Sequence, residues 1–84
     1  MSDMSARSDR RRDAQQGREN ARHATTVAYN TYRAARAEMD AASGKRFHEL
    51  VFTLPSFHAT WLMAFLAWSR AEAELDVAIA AEHH

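Results

Sequence analysis

The chain has no cysteine in its 84 residues. Disulfides, zinc–thiolate sites and thiol catalysis are therefore excluded. Glycine occurs only at Gly17 and Gly44, and proline only at Pro55. So little turn material leaves room for few connections and for no phosphate-cradling glycine loop. The strict alternation of strands is missing, while alanine and arginine are heavily used, which is a helical composition. The opening "MSDMSARSDRRRDAQQ" lacks the apolar run of a signal peptide, so a cytoplasmic protein is expected.

Recognisable catalytic apparatus is lacking as well. The five histidines, His23, His48, His58, His83 and His84, form no His-x-x-x-His or His-Glu-x-x-His pair, and no metal site is expected. Ser56 and His58 lie two residues apart at a helix start, where they do not face each other, and no acid stands ready to orient them. Glu72 and Asp76 form a carboxylate pair without the acid-x-x-His partners of a di-metal bundle. No catalytic residue, metal or cofactor is assigned, and the chain reads as a non-enzyme.

What is present begins with charge. The total is zero, but residues 1–46 carry ten basic and six acidic side chains, against one basic and five acidic in 47–84. Residues 1–17 are polar and show no apolar periodicity, so a flexible basic arm is expected there. Helical periodicity starts near Arg18: Ala21, Ala24, Ala28, Tyr32, Ala35, Met39 and Ala42 recur in steps of three, four and seven. Ser43-Gly44 is a stop signal, with Gly44 free to turn left-handed. A second helix is expected over about 45–54. Pro55 then predicts a kink or break, because it lacks a donor and restricts Leu54. A third helix is expected over about 56–82. The architecture expected is all-α: a helical hairpin, or three helices with a proline-broken second half, in a helical domain over 18–84.

The stretch "LVFTLPSFHATWLMAFLAW", from Leu50 to Trp68, holds no charged residue. It has the length of a membrane span, but Thr53, Pro55, Ser56, His58 and Thr60 interrupt it, and polar groups in hydrocarbon are costly. A membrane partner is therefore disfavoured. A core is the plainer reading, yet one alanine-rich helix supplies too little area to cover so many aromatic rings. Uncovered rings amount to several hundred square ångströms of apolar surface, more than a soluble monomer normally exposes in one patch. The expectation is a core completed by association, with Phe47, Leu54, Phe57, Trp61, Phe65, Trp68 and Leu75 at the interface with another copy or another protein. On this view the chain is a regulator, assembly factor or phage- or plasmid-type inhibitor of a larger machine.

The arginines allow a competing reading. Arg7, Arg10, Arg11 and Arg12 could serve a nucleic-acid arm on a dimeric module, although Asp9 and Asp13 interrupt the run. Alternatively, the basic start meets the acidic finish of an antiparallel hairpin. Arg18 and Arg22 would then pair with Glu72, Glu74 and Asp76, relieving charges that oppose each helix's dipole.

Overall fold

Two long helices account for almost the whole chain. The computed structural model describes residues 2–83, with side chains from Ala6 onward. Helix α1 runs Ser2–Ala41 and helix α2 runs Gly44–Glu82, with no strand among the described residues. Only Ala42 and Ser43 connect them. A connection that short forces the helices to lie side by side and antiparallel. Gly44 makes the reversal feasible: its φ of 62° lies in the left-handed region that side chains with a Cβ rarely enter. The Ala42 amide also donates to the Met39 carbonyl at 3.2 Å, closing the last turn of α1. The Cα trace measures 66 × 13 × 13 Å, so the molecule is a rod.

The contact between the helices follows a three-four repeat on both sides. On α1 the inward positions are Ala14, Arg18, Ala21, Thr25, Ala28, Tyr32, Ala35 and Met39, continued by Ala42 in the turn. On α2 they are Leu50, Leu54, Phe57, Trp61, Ala64, Trp68, Ala71, Leu75, Ala78 and Glu82. Such spacing keeps one stripe of each helix against the other along their length, as in a two-stranded coiled coil. Small residues dominate on α1 and large ones on the first half of α2. Alanine lets the backbones approach, and the indoles and phenyl rings fill the space left. Thr25 is the one buried polar residue among the described residues. Its hydroxyl donates to the Ala21 carbonyl at 2.8 Å, so no polar group is stranded there.

Two expected boundaries are absent. The first is the flexible arm over residues 1–17. Helix α1 begins at Ser2 and passes through Gly17 without interruption. The reason is tertiary: helices of 40 and 39 residues joined by a two-residue turn bring the start of α1 beside the end of α2. Ala14 is half-buried, and with Arg10 and Asp13 it lines a groove shared with Ala73, Val77 and Ala78. Met1 and His84 lie outside the described residues.

The second is the break at Pro55. Helix α2 is one continuous element containing that proline, so the expected helices over 45–54 and 56–82 are a single one. Pro55 and Val51, whose carbonyl loses its helical donor, both lie on the solvent side. Leu50, Leu54, Phe57 and Trp61 lie on the packed side and hold the helix on course. The Thr53 hydroxyl also donates to the Glu49 carbonyl at 3.0 Å, just before the proline.

These observations set two substitutions. Gly17 is a helix-interior residue with open space where a Cβ would go. Gly17→Ala is expected to stabilise the protein by about 1 kcal/mol. Pro55→Ala restores a backbone donor within a continuous helix and is expected to stabilise by up to about 3 kcal/mol. Urea denaturation followed by circular dichroism measures both, and a loss of stability in either would contradict the continuity of that helix.

Candidate functional site

Seven residues were expected to form one interface, and the structure divides them. Leu54, Phe57, Trp61, Trp68 and Leu75 turn inward and pack against α1. Phe47 and Phe65 stay exposed on a flank of α2. The division follows from the register of the inner stripe, which runs through Ala64, Ala71 and Ala78 and leaves Phe65 a step outside it. Small residues at those positions carried no apolar signal in the sequence. On α1, Arg18 and Thr25 were hidden for the same reason, being polar residues at inward positions.

At the centre of the rod the inner face becomes an aromatic cluster. Trp61 lies 5.1 Å from Tyr29 and 5.9 Å from Tyr32 between ring centroids, the second pair nearly parallel. His58 packs on the same group, 5.2 Å from Tyr32 and 5.7 Å from Trp61. Farther along, the Trp68 indole donates to the Glu72 carboxylate at 3.0 Å. Both tryptophans are thus used inside the hairpin. The aromatic cluster fixes the register of the two helices, because ring pairs of this size gain from specific offsets.

The surface left over lies on the opposite side of α2. Phe52, Pro55, Ala59, Leu62, Met63 and Leu66 are all exposed and recur in steps of three and four. Phe52 is 82 % exposed, Met63 68 % and Leu66 53 %. Beyond Arg70, Ala73 and Val77 border the groove shared with Arg10, Asp13 and Ala14 of α1. Helix α2 therefore carries two apolar stripes, one against α1 and one facing away from it. None of these outward residues belonged to the expected interface. They widened the apolar stretch in the sequence, but only the register of the hairpin separates them from the core. The back of α1 is different: Gln16, Glu19, Asn20, His23, Asn30 and Arg33 are exposed along it. By length and composition alone, α2 would suffice to cross a membrane.

The expected charge pairing is corrected in detail. Arg18 and Arg22 pair with Glu19, at 3.0 and 3.7 Å, and neither pairs with Glu72, Glu74 or Asp76 among the described residues. Arg22 lies off the inner stripe and points to solvent. Arg18 lies on the stripe, but the adjacent Glu19 takes its guanidinium, while Glu72 is held by Trp68. The Arg18 Nε is left buried without a hydrogen-bond partner among the described residues. Cross-helix pairing at the open end comes instead from Arg11, 3.2 Å from Glu82. Of the other arm arginines, Arg12 lies 3.7 Å from Asp9, and Arg7 and Arg10 are exposed on α1.

At the turn, the Arg46 Nε donates to Glu38 at 2.6 Å and its Nη1 to Glu49 at 3.3 Å. The Arg46 hydrogen bond holds the Glu38 carboxyl below the ordinary carboxylate range, and the Glu38 and Glu49 carboxylates raise Arg46. No group of three or more metal-ligating side chains gathers among the described residues. No protein-family model matches the chain, and neither a curated protein nor a solved structure is similar to it.

Two outcomes follow. A carboxylate with a lowered pKa stabilises the fold above its unfolded pKa, and that contribution is lost as pH falls through the folded value. The melting temperature of wild type should therefore exceed that of Glu38→Gln at neutral pH, and the difference should vanish on acidification. A difference that grows in acid would contradict the pair. Trp61→Ala removes the centre of the aromatic cluster and is expected to cost about 3 kcal/mol, read by denaturant titration.

Proposed function

We propose that this chain is a small non-catalytic interaction protein that works by presenting the back of α2 to another polypeptide. The observation that carries the reading is the contrast between the two helix backs. The back of α1 is mainly polar, with Val27 and Ala37 as its exposed apolar residues, as expected of a face turned to water. The back of α2 sets Phe52, Leu62, Met63 and Leu66 in solvent, a contiguous apolar patch of the kind that marks an interaction site. A regulator, an assembly factor or an inhibitor of a larger machine all act by occupying a surface in this way, and a cytoplasmic location suits them.

Insertion of α2 into a bilayer fits less well. Helix α1 packs along α2 and would carry Glu19, Arg22, Arg33 and Arg36 into hydrocarbon, where charges are costly. Helix α2 itself carries three basic and five acidic residues, a balance that anionic headgroups repel. The nucleic-acid reading rests on Arg7, Arg10, Arg11 and Arg12. It ranks second because Arg11 and Arg12 already have acidic partners at 3.2 and 3.7 Å.

Photo-crosslinking in the native cell tests the proposal. A photoreactive side chain in place of Leu66 should join the chain to polypeptide, whereas one in place of Asn30, on the back of α1, should not. Equal yields from the two positions, or no polypeptide adduct from position 66, would overturn the reading. Steeply salt-dependent binding of the whole chain to DNA or RNA, lost in Arg7→Ala/Arg10→Ala, would put the second reading in its place.

A further inference from the structure

We infer that the occupant of the α2 back is a second copy of this chain, laid antiparallel about a twofold axis that passes at Ala59. The inference rests on the interaction reading above and names the partner. Its first support is the layout of the apolar stripe. Phe52 and Leu66 bound the continuous part, and Ala59 lies midway between them. A twofold axis there sets Phe52 of one copy on Leu66 of the other and Pro55 on Met63. The small Ala59 side chain meets its own equivalent at the closest approach.

The second support is charge, and it is independent of the first. Lys45, Arg70 and Glu74 have no ion-pair partner within 4.0 Å among the described residues. Glu49 has only the 3.3 Å contact from Arg46, which is already held by Glu38. Lys45 lies whole heptads from Phe52, Ala59 and Leu66, Glu49 and Arg70 lie whole heptads from Met63, and Glu74 lies four residues beyond Arg70, so these charges continue the apolar stripe at its two ends. A twofold axis perpendicular to the two antiparallel helices brings each end of the stripe against the opposite end in the other copy. The axis at Ala59 then brings Lys45 within one residue of facing Glu74 and Arg70 within one residue of facing Glu49, and symmetry makes each pair twice. A parallel arrangement would set Lys45 on Lys45 and Glu74 on Glu74.

The apolar pattern centres on Ala59 and the charge pattern half a residue beyond it, a difference of about 1 Å or less along the helix. The overlap from Lys45 to Glu74 is about 45 Å long, most of the 66 Å rod. Arg70 finds an acid there. A hydrocarbon surface would leave Arg70 unpaired, and it would leave the Lys45 and Glu74 pattern without a use.

Sedimentation of the full chain at micromolar concentration is expected to give about 19 kDa, twice the 9.5 kDa of one chain. The register is read by oxidation, since the chain has no cysteine of its own. Ala59→Cys should form a covalent dimer. Phe52→Cys alone should not, but an equimolar mixture of Phe52→Cys and Leu66→Cys should. Lys45→Glu should weaken association about fivefold, the scale of two exposed ion pairs. The double variant Lys45→Glu/Glu74→Lys should recover it. All these positions are exposed, and circular dichroism verifies that each variant keeps its helices.

Self-crosslinking of Phe52→Cys would mean a parallel arrangement and overturn the inference. So would a chain that stays monomeric while position 66 still crosslinks to a different polypeptide, an outcome that leaves the interaction reading standing. A monomer that yields no polypeptide adduct and floats with vesicles of phosphatidylcholine would overturn both.

Discussion

One α-helix must cover another, and α1 brings mostly alanine and small polar residues to the task. This constraint shapes the rest of the molecule. Small side chains let the two backbones approach, so the large residues of α2 can interlock with α1 along a single stripe. They cannot reach around a helix of ordinary diameter, about 10–12 Å with its side chains. Everything apolar on the far side of α2 therefore stays in water. The core is thin: Leu50, at 2 % exposed, is its most enclosed large residue. A rod with so little interior depends on register, and the Tyr29–Tyr32–Trp61–His58 cluster supplies it.

The charges serve that register at the two ends. Arg46 ties the start of α2 to Glu38 near the end of α1, directly across the turn. Arg11 ties the start of α1 to Glu82 at the far end of α2. Each contact lies at the surface, where an ion pair contributes little stability. They discriminate between alignments, because a slip of one turn would separate both pairs. The basic start and the acidic finish, each unfavourable for an isolated helix, are brought together by the antiparallel fold.

The two faces of α2 give the protein its character. The inner face is consumed in holding the hairpin. The outer face has no structural use within one chain, yet it keeps the same three-four spacing and large side chains. Exposed surface of that kind favours aggregation unless something covers it. The antiparallel self-pairing proposed above would cover it and would use the charges that the hairpin leaves without partners.

The all-α class, the stop at Ser43-Gly44 and the alanine face of α1 were legible in the sequence, because they depend on composition, glycine freedom and local periodicity. So was the surplus of apolar surface between Leu50 and Trp68, since area can be compared without coordinates. Local signals misled where tertiary contact outweighed them. Gly17 and the polar opening marked an arm, but equal helix lengths and a two-residue turn give that segment α2 to pack against. Pro55 marked a break, but the packing of Leu50, Leu54, Phe57 and Trp61 on one side keeps the helix continuous while the proline faces water. The pairing of Arg18 and Arg22 with the acidic end looked favourable in outline, but the register decides which side chains meet and gives that contact to Arg11 and Glu82. Which aromatic residues lie inside and which face out could not be read from the sequence. Both stripes of α2 have helical spacing, and only the fit of α1's alanines against Trp61 and Trp68 decides which stripe becomes the core.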